Sequence, residues 1–350
     1  MCKQYDYLIV GSGIIGLTIA RELSILKKNF KVLIIEKEKK IGFHASGRNS
    51  GVLHSGVYYP RGSLKAKVCS KGARLMSEYC IKNNLPIKKI GKVIVPVKKN
   101  DNKTIEKLIK NAEEANLNHQ VIDKKQLKKI EPCAKSATNR ILYMPDVSIV
   151  DPKSVLKNIL EEIKRLGVIV HFNEKIISVD IGKSVARTSN GEVKFGYLIN
   201  AAGQYADKVA QMFDVGQRYS ILPFKGSYYK LRDSSIVFSN GLIYPVPDLS
   251  RPFLGVHTVK DMSGSTYFGP TAVPVLGREN YNGFNGIKFI DSVKIIFYLT
   301  KMYCSNNQGF RNYAHHEALN NIKSNFTKYA QRLTIGLREQ DLLSSQKQGI

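Results

Sequence analysis

Residues 5–37 restrict the fold more than any other stretch. An apolar run over residues 7–10 leads into Gly11-Ser12-Gly13-Ile14-Ile15-Gly16. A helical pattern follows, and a second apolar run over residues 31–35 closes on Glu36. Strand, glycine turn, helix and strand make a βαβ unit of about 30 residues with an acid at its tip. Gly11 makes the tight turn, Gly13 lets a diphosphate approach the backbone, and Gly16 lets the helix pack on the strand. The helix N-terminus adds free N–H groups and a positive dipole end. Glu36 follows about 20 residues after Gly16, where a carboxylate can accept both ribose hydroxyls. The pattern predicts a bound dinucleotide. The alternative is a glycine-rich βα turn without a ligand.

A chain of 350 residues suits two domains or one large one, and 43% apolar residues are ample for a core. The formal charge of +26 admits nucleic acid, an anionic membrane surface or acidic small molecules as partners. Lysine is scattered with no long basic block, which reads first as a solvated surface, then as peripheral membrane attachment, and last as nucleic-acid binding. No nucleic-acid partner is expected. The five cysteines, Cys2, Cys69, Cys80, Cys133 and Cys304, form no CxxC pair. Free thiols, no metal site and a reducing, cytoplasmic compartment are expected. The first strand begins almost at Met1, which predicts no leader peptide. No run approaches the roughly 18 charge-free apolar residues of a spanning helix, so the protein is expected to be soluble or at most peripheral on the inner face of a membrane.

Helices are predicted at 18–28, 63–83, 102–115, 124–130, 152–166 and 206–213, and over 289–329. In the second of these, Leu64, Val68, Leu75, Met76 and Tyr79 read as the apolar face. Strands are predicted at 90–97, 168–172 and 176–179, with a hairpin over 187–195 turning at Asn190-Gly191. Residues 197–200 read as a buried strand that returns the chain to the dinucleotide-binding sheet, and 221–268 as mostly short strands. The expected fold is α/β: a Rossmann-like dinucleotide-binding domain with a mixed α+β second domain. The first would comprise 1–85 and 150–215, and the second 86–149 and 216–330. Residues 331–350 would turn back toward the first domain.

Residues 37–62 have neither helical nor strand period, and a long loop of that kind is usually functional. Its stretch His44-Ala45-Ser46-Gly47-Arg48-Asn49-Ser50-Gly51-Val52-Leu53-His54-Ser55-Gly56-Val57-Tyr58-Tyr59 holds hydroxyls, glycines and two histidines. Such a loop can wrap a diphosphate, and His54 with Tyr58-Tyr59 could then face a substrate. A structural Gly/Ser loop is the alternative.

The glycine turn, Glu36 and the stretch NSGVLHSGVYYPRGSLKAKVC resemble the L-2-hydroxyglutarate oxidase/dehydrogenase family of D-amino-acid-oxidase-like FAD oxidoreductases. LINAAGQYADKVA resembles their second FAD-sheet signature. LPFKGSYYKL, LIYPVPD and PFLGVHTV resemble their substrate-domain strands. The likeness runs with strong motifs from residue 5 to about 275 and continues weakly beyond.

The resemblance implies FAD, with its isoalloxazine ring reaching between two domains. Gly11, Gly13, Gly16 and Glu36 would hold the ADP half. Ser46, Asn49, Ser50 and Gly51 would wrap the diphosphate and flavin, Ile176 would offer backbone groups to the adenine, and Gly203 would let the returning strand approach the cofactor. The implied reaction is oxidation of a small 2-hydroxy dicarboxylate to the 2-oxo acid, with oxygen or a membrane quinone as acceptor. A base must take the hydroxyl proton while hydride leaves C2, and histidine suits that task. His54 and His257 are the candidates, against the alternatives of a cofactor-bonding and a core histidine. The substrate carboxylates need cations. Lys225 is the first candidate, where the family commonly carries Arg, and Tyr229 is a weaker one. His315-His316 reads as a surface pair, since adjacent helical residues point apart. Another flavin oxidase, acting on glycerol 3-phosphate or an amino acid, is the alternative enzyme.

One departure stands out. The family carries a Gly-(Ile/Val)-Arg-Ala-Gln stretch where this chain reads Gly349-Ile350, and a further segment after it. With the tail over 333–349 polar and offering no strand, the expectation is a shortened product that binds FAD weakly and turns over slowly, or a non-catalytic one.

Overall fold

The structure, a computed structural model, describes residues 3–26, 29–60, 62–248 and 255–350. Cys2, the end of the first helix at Lys27-Lys28, Arg61 and the Pro252-Phe253-Leu254 part of one substrate-domain motif lie outside the described residues. The chain divides into two compact units. One comprises residues 1–49, 152–223 and Ile350, and the other residues 50–151 and 224–349. The first crossover therefore comes at residue 50, not 85, and the tail over 331–349 belongs to the second unit.

The first unit is built on a six-stranded sheet. Its order is Ile176–Asp180, Val185–Thr188, Gly191–Asn200, Lys3–Val10, Val32–Ile35 and Ile169–His171. The last four run parallel, with Tyr7 opposite both Tyr197 and Val32. Val32–Ile35 is buried at every position, as a central parallel strand must be when helices cover both faces. Helices Ile14–Leu26 and Pro152–Arg165 contact one another, burying Leu17, Ala20, Leu156, Ile159 and Ile163. Tyr5, Leu8, Val10, Leu33, Ile35 and Phe195 form a core with Val209 of helix Ala206–Gln211. The hairpin at Asn190-Gly191 is present, and its second strand runs on without a break through residue 200. The expected buried strand over 197–200 is thus the end of that strand. It is not buried: Tyr197 is exposed, since no further strand pairs there among the described residues.

Among its described residues the second unit contains three sheets. In one, Lys92–Val95 lies between Leu242–Pro245 and Ile141–Met144, with Gln120–Ile122 at the edge. Ile94 faces a core with Ile105, Leu108, Leu142 and Tyr244, while Val93 and Val95 face a second core with Ile141 and Leu333. A second, antiparallel sheet is centred on Phe224–Leu231, and a small third one joins Val52–Leu53, Ser148–Val150 and Ile87–Lys89.

Two expectations fail here. The tail does hold a strand: Leu342–Gly349 pairs antiparallel with Phe224–Leu231, and Leu342 is fully buried. Its polar residues conceal it because backbone hydrogen bonds carry the pairing while most of its side chains stay partly or wholly in solvent. The stretch over 289–329 is three helices, Phe289–Ser305, Phe310–Asn320 and Lys323–Ala330, broken where Asn306, Gln308 and Gly309 turn left-handed. Helix Leu64–Lys82 forms as expected, with Ser63 Oγ accepting the Ala66 N–H at 3.2 Å, yet Leu64, Val68 and Leu75 of its apolar face are exposed. Among the described residues no helix is long and apolar enough to cross a membrane.

Candidate functional site

The glycine turn of the first unit opens a cavity of about 440 Å³, lined by Gly11, Gly13, Glu36, Ser46, Asn49, Ile176 and Gly203 among others. Gly11 sits at φ +109°, and an added Cβ would lie 2.5 Å from the Ala201 carbonyl oxygen. A Cβ on Gly16 would lie 2.0 Å from the Gly11 carbonyl oxygen, so the helix can approach the strand this closely only with glycine there. Gly13 differs. A Cβ there would meet only Ser46 Oγ, at 3.0 Å, and one on Gly203 would meet nothing within 4 Å. The space over Gly13 and Gly203 is room for a ligand.

Polar groups converge on that room. Glu36 ends the central strand Val32–Ile35, and its carboxylate accepts the Ser12 N–H and the Ser12 hydroxyl, each at 2.9 Å. This bond ties the acid to the turn. Ser46 Oγ accepts the Ile14 N–H at 3.0 Å at the start of the helix. Asn49 Nδ2 donates to the carbonyls of Ala45 and Ser46, which sets the loop's last turn. Lys175 and Lys208 also line the cavity and complement a diphosphate. Ile176 contributes from the irregular start of its strand. An open glycine cradle, a helix N-terminus, a strand-end carboxylate and flanking lysines fit the ADP half of FAD. Ser50 and Gly51 do not join them. Both belong to the second unit, where the Gly51 carbonyl accepts the Val150 N–H.

In the second unit the candidate histidines come together. His257 starts strand His257–Lys260 and is buried, stacked on Tyr244 with ring centroids 4.0 Å apart. His54 approaches the other ring edgewise, 6.3 Å from Tyr244. Lys92, which no sequence motif singles out, completes the cluster. Its Nζ lies 4.6 Å from the centre of the Tyr58 ring and 5.3 Å from that of Tyr244. Lys92 alternates with Ile94, so its stem points into the same closed core and cannot reach water.

Electrostatics follow from that burial. Burial first, then Lys92 and His257, push His54 down to about 3. Burial likewise lowers His257 to about 4, against the bond to Gly255 and with help from Lys92. Lys92 itself is lowered by burial to about 7, with Cys69 opposing. Both imidazoles are therefore neutral at pH 7. His257 Nδ1 lies 2.8 Å from the Gly255 carbonyl oxygen, so Nδ1 carries the proton and Nε2 keeps its lone pair. Three buried polar atoms here lack partners: His54 Nδ1, Tyr58 Oη and Lys92 Nζ. Buried polar groups are nearly always satisfied, so such a group of orphans marks a place for a ligand or ordered water.

The other candidates lie elsewhere. Lys225 Nζ donates to the Tyr281 carbonyl at 3.2 Å. Tyr229 packs on Phe326, 4.7 Å between centroids, in a different core cluster. Its neighbour Tyr228, on the opposite face of the strand and raised by burial to about 12, is the one that acts on Tyr244. His315 and His316 point apart, His315 to Tyr303 at 2.8 Å and His316 to Asn320 at 3.1 Å.

Comparisons with known proteins show the family. The sequence profile of the family described as "DAO: FAD dependent oxidoreductase" matches residues 6–324. An L-2-hydroxyglutarate dehydrogenase of Indibacter alkaliphilus is 38% identical over 286 residues, covering 79% of this chain and 70% of that protein. The mitochondrial L-2-hydroxyglutarate dehydrogenase of Homo sapiens is 33% identical over 298 residues, covering 81% and 64%. The chain thus spans about two thirds of the length of these relatives. Among solved structures, a dithionite-reduced L-alpha-glycerophosphate oxidase of Mycoplasma pneumoniae with FAD bound superposes with a TM-score of 0.75 at 22% identity, covering 97% of this chain and 81% of that one. Glycine oxidase from Geobacillus kaustophilus gives 0.66 at 18%, covering 78% and 72%.

Proposed function

Since the chain belongs to the DAO family of FAD-dependent oxidoreductases, we propose that it oxidises L-2-hydroxyglutarate, or a closely similar 2-hydroxy dicarboxylate, to the 2-oxo acid. The observation that carries the chemistry is the placing of two imidazoles, half-buried His54 and buried His257, around the Tyr244 ring beside Lys92 Nζ, which has no hydrogen-bond partner. The substrate rests on identities of 33–38% to L-2-hydroxyglutarate dehydrogenases.

FAD, when bound, supplies the acceptor for the hydride that leaves C2. The protein's own part is to hold and to move a proton. The first-unit turn would hold the diphosphate, with Gly11 and Gly13 lining the cavity and Gly16 letting the helix close on the strand, and Glu36 would accept ribose hydroxyls once Ser12 yields its bonds. Ser46 and Asn49 shape the adjoining loop, and Ile176 and Gly203 complete the wall. His257 Nε2 takes the hydroxyl proton, with His54 as the second candidate for that task. A dry site suits the transfer, because a neutral imidazole needs no water to leave it ready. Lys92 supplies positive charge to this region, and Lys225 and Tyr229 remain candidates for the carboxylates. The acceptor is oxygen or a quinone. A cytoplasmic protein attached peripherally to the inner face of a membrane fits quinone delivery and a charge of +26.

Anaerobic mixing of the FAD-loaded protein with a substrate panel tests the reading. Bleaching by L-2-hydroxyglutarate but not glycerol 3-phosphate or glycine is expected. Bleaching by glycerol 3-phosphate alone would replace the substrate, and a protein that never takes up flavin would remove the activity.

A further inference from the structure

Helix Phe289–Ser305 buries only a narrow face, with Ser292 and Ile295 facing inward. Leu299 and Met302 are half-buried on the same side, and a second set of apolar side chains faces out. Phe289, Ile290, Val293, Ile296 and Phe297, with Phe284 just before the helix, are between 49% and 91% exposed. These six fall within fourteen residues of chain, and the five on the helix recur at three- and four-residue spacing, so those five share one broad face. Scattered single apolar side chains on a surface are ordinary. Six large ones grouped together are not, and such a group marks an interaction site.

We propose that this helix is a membrane-docking element, lying flat in the headgroup region of an anionic bilayer with Phe284, Phe289, Ile290, Val293, Ile296 and Phe297 inserted among the acyl chains. The proposal deepens the peripheral attachment suggested above and is independent of the substrate.

Charge selects the occupant. Lys288, Lys294 and Lys301 are exposed, and Lys294 and Lys301 lie two turns apart along the flank that also carries Ile290 and Phe297. Apolar bulk with lysines at its border is the pattern of an interfacial helix, which gains from both acyl contact and anionic headgroups. At 17 residues the helix extends about 25 Å, long enough to lie on a bilayer and, with its lysines, unsuited to cross one. A second copy of the chain is the weaker occupant, since two bodies each carrying +26 repel one another.

Flotation of the full chain with lipid vesicles decides the matter. The protein is expected to float with vesicles of mixed phosphatidylcholine and phosphatidylglycerol and far less with phosphatidylcholine alone. Replacing Phe289, Ile290 and Phe297 together by serine should lower binding by about 100-fold or more. Because those side chains are exposed, the melting temperature and flavin reduction by substrate should hold. The pair K294E/K301E should weaken binding and flatten its salt dependence. The proposal is overturned if the wild type stays in solution beside anionic vesicles, or if the serine variant binds as well as the wild type. It is also overturned if the wild type is a dimer that the serine changes convert to a monomer, which would assign the face to self-association. Loss of lipid binding with flavin reduction intact would leave the proposed chemistry standing.

Discussion

Tyr244 lies over the ring of His257, centroids 4.0 Å apart and planes 28° from parallel, while His257 Nδ1 donates to the Gly255 carbonyl at 2.8 Å. Stack and hydrogen bond together fix the ring's position and its tautomer. Tyr244→Phe keeps the stack and should reduce flavin within a few-fold of wild type, whereas Tyr244→Ala should be slower by roughly 10-fold or more and less stable by about 3–5 kcal/mol. Rapid-mixing reduction rates and melting curves check this. Equal rates in the two variants would remove the stack from the mechanism.

Replacing His257 by Asn should slow flavin reduction by roughly 10²-fold if Nε2 is the base, and His54→Asn provides the comparison. Normal reduction in both variants would show that neither ring takes the proton.

The same histidines predict acid sensitivity. Burial holds them at about 3 and about 4, below the value of 6.5 expected when unfolded. Between those limits the unfolded chain binds more protons, so stability should be highest above pH 6.5 and fall as pH drops toward 4. Denaturant titrations at stepped pH on wild type and His257→Asn measure it, and a pH-independent wild-type midpoint from 7 to 4 would contradict the burial.

Lys92→Met removes a buried ammonium that has no anionic partner. Lys92 is lowered to about 7 by burial, far below the unfolded 10.5. The wild type should therefore gain stability as pH rises from 7 to about 10, by at most about 1.4 kcal/mol per unit, and the variant should lose that slope. Its stability at pH 7 should equal or exceed wild type. Relief of the opposing charge should also move the acid limb of the kcat/KM profile upward. A variant that melts earlier with an unmoved profile would assign Lys92 to packing alone.

Two glycines separate binding from folding. Gly13→Ala would bring its methyl 3.0 Å from Ser46 Oγ, which can yield by a small side-chain shift, so it should melt only slightly earlier while losing FAD affinity. Gly16→Ala would press 2.0 Å from the Gly11 carbonyl oxygen and should lower the melting temperature as well. Flavin titration with thermal denaturation reads both, and a Gly13→Ala protein that keeps its affinity would argue against the phosphate cradle.

The glycine turn was legible because each of its requirements is local: residues 11–16 dictate their own turn and helix start. The buried cluster was not. Lys92 sits in Gly-Lys-Val-Ile-Val, where alternation suggests a strand with a polar outer face. The strand is instead central, with separate cores on its two faces, a fact set by residues far away in the chain. Tyr229 shows the sensitivity of strand parity. One residue decides which side of the sheet a ring occupies, and Tyr228 holds the side nearer Tyr244. Strand Leu342–Gly349 escaped notice for a different reason: edge pairing asks little of side chains, and only Leu342 is anchored in a core.

The interleaving of the two units has a consequence for handling the molecule. Lys3 pairs opposite Val193, so the first unit's central sheet joins segments with all of residues 50–151 threaded between them. No single protease cut can release either unit whole, and a fragment ending near residue 150 would keep Val32–Ile35 but lack Gly191–Asn200, the other parallel neighbour of its first strand. Expression of either half alone should yield aggregated protein, whereas a circular permutant opened inside the excursion, with the native termini bridged, would retain every strand pairing.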